Sequence, residues 1–356
     1  MVKNAEKSVQ RFRLIIQSAF VLLCIWIGYD FYKFVSRLES GDVLEFTSRP
    51  PGVDGFLPIS SLMSFYLFLK TGIIHSAHPA GVVIFFAIIL MSFLVGKSFC
   101  SWFCPVGFIS EMLGNAGEKI FRRKIKIPSF LDYSLRSVKY LLLAFLIYTV
   151  FFMMNEIALK SFLDSPYNIV ADIKMYYFFA KISQFSLIVI AALVLLSVVF
   201  RNFWCRYLCP YGALLGIVSL FSLNKIKRNA ESCIDCKLCT KVCPSFIKVH
   251  KMKSVVSDEC TSCMSCIDAC PVKDTLYFKP VFAKKELKKK YTAGIIISAF
   301  LLITGAAMLT GHWQNNISKS EYLYHFRNLD KLDHFTGPGS VKNFNDSTLS
   351  NKNSRQ

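Results

Sequence analysis

Long uncharged apolar runs divide this chain, and five of them have the length of a membrane-spanning helix. Each run holds about 16 to 21 residues without Asp, Glu, Lys or Arg, near the ~20 that cross ~30 Å of hydrocarbon. Only a helix satisfies every backbone N–H and C=O within such a run. The pattern therefore predicts an all-α polytopic membrane protein with about five transmembrane helices. The five runs are Leu14–Tyr29, Pro79–Gly96, Tyr140–Asn155, Ile182–Phe200 and Tyr291–Gly311.

Two further apolar stretches are less regular. Gly55–Leu69 is short and carries Pro58, and Tyr207–Asn224 is uncharged but carries Cys209 and Pro210 near its start. We interpret both as interfacial or re-entrant segments.

The composition agrees with this interpretation. Of 356 residues, 53 % are hydrophobic and only 18 % are charged, whereas a soluble chain carries about a quarter charged residues. Disorder, a collagen repeat and a small disulfide scaffold are therefore excluded as descriptions of the whole chain, and the lipid bilayer is the first expected partner.

The formal charge of +19 is distributed unevenly. The N-terminus, the loop 97–139 and the segment 201–290 carry +3, +5 and +10, while the remaining connections and the tail together carry +1. This asymmetry follows the positive-inside rule and predicts a multi-pass membrane protein. It places the N-terminus and segment 201–290 in the cytoplasm and the C-terminus outside. Since the rule accounts for the basic pI, no nucleic-acid partner is expected.

Eight cysteines form two runs of the type Cys-x2-Cys-x2-Cys-x3-Cys-Pro, the pattern of bacterial two-cluster ferredoxins, in which the fourth cysteine of each run ligates the other run's cluster. We therefore expect a cytoplasmic 2[4Fe–4S] ferredoxin domain of α+β type. Zinc is the competing ligand for paired cysteines, but two complete runs disfavour it, and a reducing compartment disfavours disulfides. The first predicted ligand set is Cys233, Cys236, Cys239 and Cys270, and the second is Cys260, Cys263, Cys266 and Cys243.

Four more cysteines form two Cys-x3-Cys-Pro motifs, Cys100 with Cys104 and Cys205 with Cys209. The motifs are 105 residues apart, and each follows an apolar run, so they form an internal repeat in parallel topology. Three roles stay open for them: a third metal or Fe–S site, redox-active dithiols, or small packing residues.

These features divide the chain into five regions. They are an anchor helix and outer loop (1–78), a membrane core with the two repeats (79–224), the ferredoxin domain (225–283), a polybasic segment with the fifth span (284–313) and an extracytoplasmic tail (314–356), disordered from Asn343 onward.

The motifs around Phe99 and Trp204, together with the two ferredoxin runs, resemble the NapH/NosR-type polyferredoxin membrane proteins, and most of all the YccM-type 4Fe–4S membrane proteins. That family includes quinol dehydrogenase subunits and accessory proteins of metalloenzyme assembly. The resemblance implies electron transfer with the quinone pool or with a membrane or periplasmic redox partner. The alternative that it leaves open is a redox accessory or regulatory factor for metallocentre assembly.

Two histidines, His75 and His78, lie at the outer membrane edge and could bind a quinone or ligate haem, and two interfacial histidines are the simpler interpretation. His78 directly precedes the second apolar run and is the better candidate for a quinone site. Asp164 and Asp172 are candidate proton acceptors, for which a solvated loop is the simpler interpretation. No catalytic residue is assigned.

Overall fold

The computed structural model describes residues 8–40, 48–280 and 289–329, together with residues 4, 287 and 332. Within these residues the chain is mostly helical, with fifteen α-helices and one pair of strands. The elements are α1 (Gln10–Ser40), α2 (Pro58–Thr71), α3 (Pro79–Val95), α4 (Phe99–Trp102), α5 (Pro105–Phe121), α6 (Ser129–Ile147), α7 (Glu156–Leu163), α8 (Pro166–Ile169), α9 (Ala171–Ala180), α10 (Gln184–Val199), α11 (Pro210–Leu220), β1 (Asn224–Arg228), α12 (Leu238–Val242), α13 (Ser265–Asp268), β2 (Leu276–Pro280), α14 (Lys289–Leu309) and α15 (Lys319–Arg327).

Short 3-10 and π segments complete the helices. The 3-10 turns are Pro51–Phe56 and Val249–Lys251, and the π turns are Tyr148–Met153 and Trp204–Leu208. Most of the polybasic stretch 284–290 and the tail from Asn343 onward lie outside the described residues.

Three helical segments within the described residues are long and apolar enough to cross a membrane, namely Gln10–Ser40, Ser129–Met153 and Tyr291–Leu309. They correspond to the first, third and fifth expected spans. The fourth expected span belongs to the α9–α10 pair, which is bent by 80°, and the second forms α3, an apolar helix of 17 residues. The protein is thus a membrane protein, and the count of five spans stays a prediction.

The chain divides into two compact units. The first comprises Met1–Cys24, Ala87–Leu146 and Gln184–Ile303. In it, α5 packs closely against α10 at Gly117. A Cβ atom at this position would lie only 1.8 Å from the carbonyl oxygen of Val198, so the close approach requires glycine. Strands β1 and β2 pair antiparallel, from Asn224 opposite Pro280 to Arg228 opposite Leu276. This pairing joins the two ends of the ferredoxin segment, so both cysteine runs lie in the loop between the strands.

The second unit comprises Ile25–Phe86, Ile147–Ser183 and Thr304–Gln356. Its described residues form two apolar clusters. One cluster is centred on Phe34, Val170 and Ile173, and the other on Leu159 and Leu163.

Candidate iron–sulfur sites

Four cysteines from two loops line one apolar cavity in the segment between β1 and β2. Cys260, Cys263 and Cys266 come from the second run, and Cys243 comes from the end of the first. These are the four members of the second predicted ligand set. The aliphatic part of the cavity wall is formed by Ile226, Ile247, Val249, Val255 and Met264.

The four members of the first predicted set line a separate cavity. Cys233, Cys236 and Cys239 face it from the first run, and Cys270 faces it from the end of the second. Arg228, Lys237 and His250 also line this cavity, whereas the cavity of the second set has no arginine, lysine or histidine in its wall. The structure therefore brings the cysteines together in the crossed arrangement that their spacing predicts.

Both runs have the same backbone conformation around their second cysteine. The residues on either side of it are left-handed, with φ of 51° at Asp235 and 59° at Lys237, and of 51° at Ser262 and 62° at Met264. Alternation of this kind turns successive backbone N–H groups toward one concavity, a nest that suits anionic groups such as Fe–S clusters. The two loops are therefore shaped to accept the sulfur atoms of a cluster.

The cysteine side chains do not converge on a single point. Among the described residues, no three His, Cys, Asp or Glu side chains lie close enough to hold one metal ion. A [4Fe–4S] cubane does not need such convergence, because each of its four irons takes a single thiolate.

Burial makes these thiols hard to ionise in the absence of a cation. It raises the pKa of Cys260 to about 12 and raises the pKa of Cys266 well above the usual range. Metal ligation requires the thiolate, so the positive charge of bound iron must offset this penalty.

The two Cys-x3-Cys-Pro motifs share the local structure of their second halves. Cys104 and Cys209 are the N-cap residues of α5 and α11, each followed by proline at the first helical position. Their sulfur atoms accept hydrogen bonds from the backbone N–H of Gly107 at 3.4 Å and of Gly212 at 3.2 Å. The repeat seen in the sequence is thus also a repeat of capping geometry.

The first cysteines of these motifs face a common cavity. Cys100 from α4 and Cys205 from the π turn line it together with Cys263, a member of the second predicted set. Cys104 interacts electrostatically with Cys100, Cys205 and Cys209, so the structure groups all four motif cysteines. Pro244, Ser245, Thr261 and Cys263 border both this cavity and the apolar cavity of the second set. The two sites are therefore direct neighbours.

A buried lysine stands beside the motif cysteines. Lys97 is 4 % exposed and lines the cavity that contains Cys100 and Cys205. Burial lowers the pKa of its ammonium, but Cys100 and Glu259 raise that pKa by more, so the net pKa is raised and the cation persists. A fixed positive charge here stabilises thiolates or any other anionic group in the cavity.

Polar contacts fasten the ferredoxin loops to the helices of the same unit. The indole nitrogen of Trp102 donates to the carbonyl oxygen of Ser262 at 3.3 Å, and Gln10 donates to that of Cys263 at 2.9 Å. The carboxylate of Asp268 accepts from the backbone N–H of Val9 at 2.9 Å and pairs with Lys289 at 2.7 Å. Cys263 in the wall of the second cavity and Asp268, which follows it, are thus held against the starts of α1 and α14.

Sequence reasoning missed several of these residues. Glu259, which pairs with buried Lys139, and Asp132, which binds Arg206 and Tyr207, carry no motif. The repeat offset of 105 residues does align Ser101 with Arg206, so that signal was present in the sequence.

His78 lies in a buried polar cluster of the second unit. Its Nδ1 atom is 2.9 Å from the carboxylate of Asp54, and its Nε2 atom donates to the carbonyl oxygen of Asn168 at 2.7 Å. Arg49 pairs with both Asp54 and Asp172. Both ring nitrogens of His78 therefore have partners inside the protein.

The two candidate proton acceptors, Asp164 and Asp172, differ in their exposure to solvent. Asp172 is fully buried in the cluster, not in a solvated loop, whereas Asp164 is half-exposed and lies 2.8 Å from Nε2 of His75. Burial raises the pKa of Asp54, but Arg49 and His78 lower it by more, so the net pKa is lowered.

Comparison with known proteins gives two family models and several relatives. A model described as a 4Fe–4S binding domain matches residues 77–128 and again 182–229, once over each Cys-x3-Cys-Pro motif. A 4Fe–4S dicluster domain matches residues 225–271, which contain all eight ferredoxin cysteines.

The relatives include YccM of Escherichia coli strain K12, whose name assigns it to electron transport and which is 42 % identical over 90 % of each chain. The ferredoxin-type protein NapH of Haemophilus influenzae is 29 % identical over 54 % of this chain and 64 % of its own. The regulatory protein NosR of Pseudomonas aeruginosa is 27 % identical over 47 % of this chain and 23 % of its own. No solved structure matches this chain.

Proposed function

The chain belongs to the family of 4Fe–4S membrane electron-transport proteins that includes YccM, and from this membership we propose a specific arrangement of its clusters. It is a membrane-bound iron–sulfur electron-transfer protein. Two [4Fe–4S] clusters are held by the crossed sets, the first by Cys233, Cys236, Cys239 and Cys270 and the second by Cys260, Cys263, Cys266 and Cys243. The single observation that supports this best is that each set lines a cavity of its own.

The bound clusters supply one-electron chemistry, and the protein contributes the surroundings that tune it. The nests around each second cysteine direct backbone N–H groups to the sulfur atoms, which stabilises the more negative, reduced state. The apolar wall of the second site opposes this by excluding water from the charge. The two sites therefore differ in potential, because only the first has cationic side chains in its wall.

Single substitutions test the crossed assignment. Cys243 belongs to the first run in the sequence but is assigned to the second cluster, and Cys270 belongs to the second run but is assigned to the first cluster. The two test variants are Cys243→Ala and Cys270→Ala. EPR of the reduced protein should show the signal of the second cluster lost in Cys243→Ala and that of the first retained. The opposite pattern would reject the crossed sets, and colourless, iron-free native protein would reject both clusters.

The Cys-x3-Cys-Pro cysteines are proposed to form a third redox site, an Fe–S cluster held by Cys100, Cys104, Cys205 and Cys209. In support, a 4Fe–4S binding-domain model covers both motifs, and the cavity that Cys100 and Cys205 line adjoins the second predicted cluster site. Iron and acid-labile sulfide are to be assayed in the quadruple Ala variant and the native protein. We expect the variant to lose about four irons, and an unchanged iron count would exclude a cluster at this position.

The quinone pool is the proposed partner in the membrane. The apolar helices and the electron-transport relatives support a partner of this kind, and the role of His78 in quinone binding stays a prediction. Anaerobic addition of a quinol analogue to the purified protein should bleach its Fe–S absorption. Clusters that stay oxidised with the quinol but react with dithionite would contradict quinol oxidation by this chain.

The proposed topology is five-span, in the bacterial inner membrane, with the N-terminus and ferredoxin domain in the cytoplasm and the C-terminus outside. The charge distribution along the chain supports it. Reporter domains fused near Val255 and after Gly311 should report cytoplasm and exterior respectively. An exported reporter at Val255 would reverse the orientation.

A regulatory role is the second candidate, because the relative NosR is named a regulatory protein. A sensor would undergo one reduction per molecule without sustained turnover. An electron-transfer protein should instead pass many electrons from a quinol analogue to an artificial acceptor, so steady-state turnover separates the two functions.

A further inference from the structure

The first cluster site opens to the surface of the first unit. Its ligand Cys236 is exposed, whereas Cys239 is buried. Two aliphatic side chains on either side of Cys236 are also exposed, Ile234 by 45 % and Leu238 by 39 %. We call Ile234, Cys236 and Leu238 the Cys236 face. It is a small apolar surface with a cluster ligand at its centre.

Three of the six acidic residues between β1 and β2 contact residues of the helices. Asp258 accepts a hydrogen bond from Tyr140, Glu259 pairs with Lys139, and Asp268 pairs with Lys289. All three partners belong to α6 or α14, whose apolar runs are candidate spans. Half of the acidic residues between β1 and β2 are therefore bound by residues of the membrane helices, two of them by a lysine.

The solvent side of the same segment is left with an excess of lysine. Six lysines between β1 and β2 are exposed, against three acidic residues. The lysines are Lys237, Lys241, Lys248, Lys251, Lys253 and Lys273, and the acids are Glu231, Asp235 and Asp274. Lys237 also lines the first cavity, and Lys273 directly follows its wall residue Val272. Lys237 therefore places positive charge at the wall of the first cavity, and Lys273 adds to it next to Val272, with Asp235 as the exposed acid beside Cys236.

We propose that the Cys236 face docks a small, soluble, acidic one-electron carrier protein. An apolar centre with a charged rim is the usual composition of a protein interface, and complementary charge accelerates the encounter. In the exchange one electron passes between the carrier and the first cluster; one is oxidised as the other is reduced, no bond forms and no proton moves. The chain then has a soluble partner at one end of its cluster series and a membrane partner at the other.

Anionic lipid headgroups are the other ligand that a lysine-rich surface attracts. The exposed cluster ligand favours a redox protein, because electron transfer requires close approach to Cys236 and binding of a lipid headgroup does not. The acids that contact α6 and α14 favour it too, since they withdraw negative charge from the solvent side and leave the lysines there.

The inference rests on the proposed function, because it requires the first cluster to be present. The test uses full-length protein in nanodiscs of zwitterionic lipid and an acidic plant-type [2Fe–2S] ferredoxin as the carrier. Stopped-flow absorbance follows electron exchange in both directions, so that one direction has a favourable driving force. The charge-reversal variant is Lys241→Glu/Lys273→Glu, and the matched control is Lys160→Glu, an exposed lysine of α7 in the second unit.

We expect the second-order rate constant at low salt to fall at least tenfold in the double variant and to stay within twofold in the control. The difference should vanish near 0.5 M salt, where charges separated by more than about 4 Å are screened. Iron content and the dithionite-reduced EPR spectrum should be native in both variants.

Two results would overturn the inference. One is a rate that is independent of salt and of the charge reversal while the clusters are intact. The other is co-flotation of the loaded nanodiscs with anionic vesicles that the double variant abolishes, with no effect on carrier exchange. Protein that lacks clusters altogether contradicts the proposed function instead, so the two failures are distinguishable.

Discussion

Ser101 and Arg206 hold equivalent positions, each directly after the first cysteine of a Cys-x3-Cys-Pro motif, and both donate to a backbone carbonyl of the second cluster site. The Ser101 hydroxyl donates to Thr261 at 2.6 Å, and the Arg206 guanidinium donates to Ser245 at 3.1 Å. Both acceptors lie in the wall that the two cavities share. The two halves of the repeat thus fasten the same site from two directions.

This relationship predicts that either side chain fixes the position of the second site. Ser101→Ala removes one hydrogen bond and should cost about 1 kcal/mol of unfolding free energy. Arg206→Met also removes one of the two guanidinium partners of Asp132, which keeps Arg136, and should cost about 2 kcal/mol. Hydrogen exchange measured by mass spectrometry should rise in residues 243–263 of both variants. Ser134→Ala removes an exposed hydroxyl on α6 and serves as the control; equal protection in all three would contradict the role.

The buried pair of Lys139 and Glu259 should be more costly to break than to replace. Lys139 is fully buried and Glu259 is 5 % exposed. Lys139→Met removes the ion-pair partner of a buried carboxylate and leaves only the charge of Lys97 near it, so we expect a loss of about 3 kcal/mol. The double variant Lys139→Met/Glu259→Leu should recover most of this loss. Thermal unfolding in detergent, followed by circular dichroism, measures both; a double variant no more stable than the single one would contradict this account.

Arg49 should be essential for the stability of the second unit. It is the cation shared by buried Asp54 and Asp172, so Arg49→Met leaves two carboxylates and His78 without their balancing charge. We expect a loss of at least about 3–5 kcal/mol, partly restored in Arg49→Lys. Limited proteolysis of the loops around α7 and α8 reports the loss. Native resistance in Arg49→Met would show that the cluster contributes nothing to stability.

The pH dependence of stability should reveal His325. Burial lowers the pKa of this residue from the ordinary 6.5 to about 4, so the folded state holds it neutral. Its stabilising effect is complete above pH 6.5 and is lost as the pH falls toward 4, because only the unfolded chain binds the proton there. His325→Leu should flatten the stability profile in this window. The melting temperature from pH 7 to 4 measures it, and a variant profile parallel to the native one would contradict the assignment.

The cysteine-based part of the molecule follows from the sequence to a large extent. Ligand spacing is dictated by the size of a cubane, so the sets that meet in the two cavities are visible as Cys-x2-Cys-x2-Cys-x3-Cys-Pro. The N-cap role of Cys104 and Cys209 is likewise predictable, because the proline that follows each of them favours the first position of a helix.

Other parts depend on contacts that no local pattern encodes. Glu259 pairs with a lysine 120 positions earlier, and Arg49 with an aspartate 123 positions later. Apolar length alone did not separate a straight helix from the 80° bend between α9 and α10. Packing decided these features, and packing depends on the whole chain.

The wall between the two cysteine-lined cavities has an evolutionary consequence. Thr261, Cys263 and the Pro244–Ser245 pair serve both compartments at once. A substitution there alters the dielectric surroundings of both cavities together, so with the proposed clusters in place selection cannot adjust one potential in isolation at these positions. Residues that border only one cavity lie away from this wall, Lys97 in one cavity and Val249 and Val255 in the other. Substitutions at these residues should change one reduction potential alone, so chains of this architecture should differ in potential through them.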